Sequence, residues 1–143
     1  MVRTFVTKNT GRVIVIRLEP GEDILKSIEK IVAEYNLRSG HLNLIGAVSQ
    51  VHLGYFDREE RVYKDFTRNE DLEIVSCMGN ISRLKNEYVV HAHVVASDEN
   101  GKCYAGHLME GCIVSVTIEI IITEFCEITR AKDKETGLNL LDL

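Results

Sequence analysis

Ten consecutive residues, Ile113-Val114-Ser115-Val116-Thr117-Ile118-Glu119-Ile120-Ile121-Ile122, contain neither glycine nor proline and are dominated by β-branched side chains. Such side chains are stiff at χ1 and pack well on a pleated surface. The spacing predicts one long strand within residues 112 to 125, and it carries more apolar surface than a sheet packed on one face needs. Its second face is therefore expected to meet another subunit.

Further segments rich in β-branched or aromatic residues are His41 to Val48, His52 to Phe56, Val62 to Phe66, Leu72 to Met78, Tyr88 to Ala96 and Lys102 to Leu108, preceded by Arg3 to Thr7 and Arg12 to Leu18 around Asn9-Thr10-Gly11. Each reads as a strand. One stretch departs from this pattern. After Pro20-Gly21-Glu22-Asp23, the apolar residues Leu25, Ile28, Ile31, Val32 and Tyr35 follow helical spacing, with Lys26, Glu29, Lys30 and Glu34 on the other side. This is an amphipathic helix that covers a sheet and ends near Asn36. Many strands and one long helix define an α+β class with a largely antiparallel, mixed sheet.

The chemistry concentrates in Val89-Val90-His91-Ala92-His93-Val94-Val95 and Ala105-Gly106-His107. Side chains alternate faces along a strand, so His91 and His93 leave the same face. Whether His107 joins them depends on the turn at Asp98-Glu99-Asn100-Gly101. A two-residue Asn100-Gly101 loop pairs His107 with Val94, on the wrong face. A three-residue loop closed by Gly101 pairs it with His93, and a bulge at Ala105-Gly106 would achieve the same shift. With the right register, three imidazoles suit Zn(II) first and leave one coordination position open.

At 143 residues, with 45% hydrophobic and 27% charged residues, the chain has the size and composition of one globular domain. Its formal charge is −5, and no run of Lys or Arg provides the footprint that neutralising phosphates requires, so direct nucleic-acid binding is disfavoured. There is no signal peptide pattern and no apolar run of membrane-spanning length, which places the expected protein in the cytoplasm. Cys77, Cys103, Cys112 and Cys126 lack any Cys-x-x-Cys spacing and fit reduced thiols. Residues 130 to 143 read as a charged tail that is mobile or docked through Leu138, Leu140, Leu141 and Leu143.

The order Gly21-Glu22-Asp23-Ile24-Leu25, His41-Leu42-Asn43-Leu44-Ile45-Gly46-Ala47-Val48, Leu53-Gly54-Tyr55-Phe56-Asp57, residues 72 to 81, and Gly106-His107-Leu108-Met109-Glu110-Gly111 resembles the plant-and-prokaryote-conserved (PPC) domain over nearly the whole chain. The resemblance implies a compact trimeric subunit with one main helix, and a metal at His91, His93 and His107. Plant members attach this domain to AT-hooks, which bind DNA through an Arg-Gly-Arg-Pro core. This chain has no such core, so the resemblance is to the standalone prokaryotic type. At the level of fold it is also similar to acetolactate decarboxylase and related zinc proteins.

Two functions follow as expectations. One is a metal-binding homotrimer that acts as a scaffold for a small anionic ligand or for other proteins, with Arg38, Arg83 and Lys85 as an anion-binding rim. The other is a zinc-dependent hydrolase or decarboxylase, in which Glu110 handles protons beside the metal.

Overall fold

The computed structural model describes Thr7 and residues 10–143. The expected first strand, Arg3 to Thr7, falls outside the described residues apart from Thr7. In chain order the elements are β1 (Thr10–Leu18), α1 (Ile24–Glu34), β2 (Ser39–Asp57), β3 (Val62–Arg68), β4 (Leu72–Leu84), β5 (Glu87–Ser97), β6 (Cys103–Leu108), β7 (Ile113–Phe125), β8 (Thr129–Lys132) and β9 (Asn139–Asp142). All strands belong to one sheet, and every pairing is antiparallel except that of β4 with β8.

Helix α1 starts where its sequence says it should. The Asp23 carboxylate accepts from the Lys26 backbone N–H at 3.1 Å, satisfying an N-terminal donor that has no partner within the helix. The helix ends at a left-handed Asn36 (φ 46°). Its buried stripe of Ile24, Ile28 and Val32 packs with Leu42, Leu44, Ala92, Val94, Ile118, Ile120 and Ile122 to form the core.

Strand β2 is one element of 19 residues rather than the two expected. Its first half pairs with β7 and β4, and its second half with β3 and β6. Register shifts between Leu44 and Gly46, and again between Gly46 and Gln50, bend the strand without ending it. Gly46 permits this with φ 142°, and a Cβ there would lie 2.0 Å from the Thr117 carbonyl oxygen. The pairings β2–β6, β6–β5, β5–β4 and β4–β2 close a circuit. Strand β4 also runs past its expected end at Met78. Gly79 lies inside it opposite Ala92, where a Cβ would meet the His91 carbonyl oxygen at 2.2 Å.

The two faces of this sheet differ. Ladder partners share a face, which places Val15, Ile121, Asn43, Met78, His93 and His107 in one continuous row across β1, β7, β2, β4, β5 and β6. Their chain neighbours Ile120, Leu42, Leu44, Cys77, Ala92, Val94 and Leu108 are buried beneath them. The row lies on the face away from the core, and Val15, Met78 and Ile121 are exposed.

The tail forms two short strands. Strands β8 and β9 form a hairpin that joins β4 through the Arg83–Thr129 bridge and the Arg83 N–H donating to the Ile128 carbonyl at 2.9 Å. Arg130 anchors it, with its side chain buried.

Candidate metal centre

The β5–β6 hairpin resolves the register left open by the sequence. Asp98 N–H donates to the Lys102 carbonyl at 3.0 Å, Gly101 N–H donates to the Asp98 carbonyl at 3.1 Å, and Gly101 is left-handed at φ 79°. This is the three-residue loop. The Asp98 carboxylate also accepts from the backbone N–H groups of Asn100 and Lys102, both at 2.9 Å. His93 consequently faces His107, with no register shift at Ala105-Gly106.

His91, His93 and His107 each offer one ring nitrogen to a group whose members lie within 4.8 Å of one another. The ring centroids are 5.1 to 5.6 Å apart. His91 Nε2 and His93 Nε2 are separated by 3.3 Å. Two nitrogens bound to one tetrahedral zinc at 2.0–2.1 Å would be about 3.3–3.4 Å apart, so this pair already has the spacing of two ligands. His107 Nδ1 is buried without a hydrogen-bond partner, an unmet demand that fits a site built to be completed by another group.

Electrostatics sets the protonation of two of the three imidazoles. Burial, followed by the influence of His107, Arg130 and His93, pushes the His91 pKa down to about 4. His107 is lowered by burial and by His93. His91 is therefore neutral at pH 7, and in both imidazoles the shift disfavours the protonated form that would compete with a cation for the ring nitrogen.

The structure places the remaining candidates elsewhere. Glu110 is exposed, forms an ion pair with Lys26 and is not part of the three-histidine group. Its backbone carbonyl lies 2.6 Å from His52 Nδ1, and His52 Nε2 lies 2.8 Å from Asp65. Arg38 faces Glu124, with Nε at 3.7 Å, and the Arg83 guanidinium lies over Tyr88 at 4.3 Å. Lys85 occupies the left-handed turn between β4 and β5. Cys112 is buried against the backbone of His52.

Two residues near the histidines were not singled out by sequence reasoning. Tyr63 packs against His107 with centroids 5.0 Å apart and ring planes tilted by 44°, and Arg130 lines a cavity of about 210 Å³ with Tyr63, His91 and His107. Tyr63 carries no signal beyond that of a strand aromatic. Arg130 lies in a charged segment whose four-residue strand is too short for periodicity to reveal.

A single α+β domain with three convergent imidazoles on the outer face of its sheet defines a protein equipped to hold a metal ion. The chain belongs to the family described as the Plants and Prokaryotes Conserved (PCC) domain, which it matches over residues 6–126. It is similar to the crystal structure of a metal-containing protein from Archaeoglobus fulgidus, with a TM-score of 0.89, 29% identity and coverage of 99% of this chain and 100% of that one. A plant- and prokaryote-conserved protein from Pyrococcus horikoshii gives a TM-score of 0.87 at 31% identity, covering 97% and 98% of the two chains. Acetolactate decarboxylase from Bacillus subtilis shares the fold alone, with a TM-score of 0.52 at 13% identity, over 91% of this chain and 60% of that one. Among curated sequences, the bifunctional protein GlmU of Synechococcus sp. (strain JA-3-3Ab) is 32% identical over 129 residues. That match takes in 88% of this chain but spans only 20% of the relative's length.

Proposed function

We propose that the protein is a homotrimeric metal-binding PCC-domain scaffold that holds one divalent ion, preferably Zn(II), through His91, His93 and His107 in each subunit. The observation that carries this reading is the convergence of three ring nitrogens within 4.8 Å, two of them at the spacing of tetrahedral ligands. The metal-containing relative from Archaeoglobus fulgidus supports it. Trimer formation is supported by the family resemblance and by the exposed apolar row beside the histidines.

A bound zinc would supply Lewis acidity at its open position, where it polarises a carbonyl or lowers the pKa of water. This chain's own residues fix the ligand orientation through the β5–β6 register and disfavour protonation of His91 and His107. The hydrolase or decarboxylase reading draws on that open position and on the cavity lined by His91 and His107. The proton-transfer group expected for it, Glu110, is not in the three-histidine group and forms an exposed ion pair with Lys26. The scaffold reading is therefore preferred. No activity is carried over from GlmU, of which the chain spans a fifth.

Elemental analysis of untagged protein, combined with its mass in solution, tests the proposal. About one zinc per subunit in a species three times the 16.2 kDa chain mass is expected. Protein that stays metal-free after zinc is added back would make the histidines ordinary strand-face residues.

A further inference from the structure

Among the described residues, Arg130 is a buried cation without an anion. The residue is 9% exposed, and none of the ion pairs among the described residues involves it. Three neutral acceptors hold it in place. Nε donates to Ser82 Oγ at 2.6 Å, Nη1 to the Asn139 carbonyl at 2.7 Å and Nη2 to Asn80 Oδ1 at 2.8 Å. A guanidinium has five N–H donors, so one further N–H remains on each terminal nitrogen. Burying a charge without a counter-charge is costly, and fixed, unspent donors are suited to a planar anion.

The surroundings define that anion. The cavity of about 210 Å³ is lined by the polar groups of Arg130, His91 and His107 and by apolar side chains that include Leu138 and Leu140. A water molecule occupies about 30 Å³ in the liquid, so the space suits an organic ion of a few heavy atoms rather than a nucleotide. Asn80, which holds Nη2, lies directly opposite His91 in the β4–β5 ladder. This ties the guanidinium to the strand pair that carries the imidazoles. The residues that bring Arg130 there, in β8 and β9, lie beyond the matched family region.

We propose that Arg130 is the recognition residue for the carboxylate of a small organic acid, seated in this cavity with its carbon chain against Leu138 and Leu140 and its head beside the three-histidine site. The assignment rests on the metal reading for the second charge that faces the anion. Arg130 supplies the first by itself. An apolar wall and a single guanidinium favour a monocarboxylate over inorganic phosphate, which would leave that wall unused.

The test is a titration of zinc-loaded protein with butyrate, following the backbone amide NMR signals of His91, His107 and Arg130, with butyramide and inorganic phosphate as comparison ligands. Zinc content is measured first for wild type and Arg130→Gln, and is expected to be equal. Saturable shifts with butyrate, weakened at least tenfold for butyramide and for Arg130→Gln, are the expected result. Arg130→Lys, which keeps the charge but loses the fork, should fall between them and serves as the readout if the Gln variant does not fold. Equal butyrate affinity in the variants, no saturable binding by wild type, or phosphate binding more tightly than butyrate would overturn the proposal. If wild type holds no zinc, the metal reading fails separately. The same titration of metal-free protein then decides on Arg130, with Arg130-dependent binding supporting the assignment and its absence overturning it.

Discussion

His93 and His107 are direct cross-strand partners in the β5–β6 ladder, and two residues along β5 His91 faces the same way. The three-histidine cluster is thus a consequence of one loop length. With Glu99, Asn100 and Gly101 between Asp98 and Lys102, the ladder brings together three imidazoles that a two-residue loop would divide between opposite faces.

Replacing His91 and His93 together with alanine should reduce bound metal from about one per subunit to none. The fold should survive because His93 is exposed and His91 only partly buried, while their buried neighbours Ala92 and Val94 are retained. Elemental analysis gives the first quantity and circular dichroism the second. A folded double variant that still carried one metal per subunit would show that the ligand set is wrong.

Glu124 should govern the acid limb of stability. Its buried carboxylate accepts from Arg12 Nε at 3.0 Å and Nη2 at 3.1 Å, and from the backbone N–H groups of Arg12 and Arg38, both at 3.2 Å. The Arg12 side-chain hydrogen bond, aided by the backbone donors and opposed by burial, lowers its pKa from 4.5 to about 2. A depressed carboxylate pKa stabilises the fold above the unfolded value, so the contribution is complete above pH 4.5 and is lost as pH falls toward 2. Because Arg12 is half exposed and solvent screens the pair, the contribution is on the order of 2 kcal/mol. Urea unfolding from pH 6 to pH 2 should show this loss in wild type. Glu124→Gln should be less stable at pH 6 and should lose correspondingly less stability across that window.

The parts of this architecture that were legible in the sequence are those set by local periodicity. Ile24 to Tyr35 announced the helix, Ile113 to Ile122 the long strand, and His91-Ala92-His93 a shared face. Long-range fit was not legible. Nothing local shows that β2 continues through Gly46, because the reason lies in the Thr117 carbonyl of a distant strand. The turn at Asp98 left two registers open, and the choice lay in backbone hydrogen bonds that either loop could have offered. Arg130 was hidden for a related reason. A charged residue in a charged tail looks solvated until Ser82, Asn80 and Asn139 are brought around it by pairing across the chain.

Gly46→Ala should be far more disruptive than Gly101→Ala. Both glycines have positive φ, at 142° and 79°, but a Cβ at Gly101 meets nothing within 4 Å, whereas at Gly46 it would lie 2.0 Å from a backbone oxygen. The open turn should therefore lose about 1–2 kcal/mol from left-handed strain alone. The bend in β2 must also move a neighbouring strand, adding about 1–3 kcal/mol. Thermal unfolding of the two variants, compared at one pH, separates these costs. Equal losses would mean that β7 yields easily at Thr117.

The exposed row that begins at Val15 and Ile121 leads to the histidines, so assembly and metal binding should be separable on the same face. Val15 is 75% exposed and lies opposite Ile121 in the β1–β7 ladder, giving an apolar surface that is exposed among the described residues. In a trimer, Ile121→Lys would place a charge where water is excluded, whereas in an isolated subunit the lysine would remain solvated. The variant should therefore run near 16.2 kDa in light scattering while wild type runs near three times that mass. All three ring nitrogens of the proposed ligand set come from a single chain, so the monomeric variant should still bind about one zinc per subunit. Loss of zinc together with the trimer would show instead that a neighbouring subunit completes the coordination.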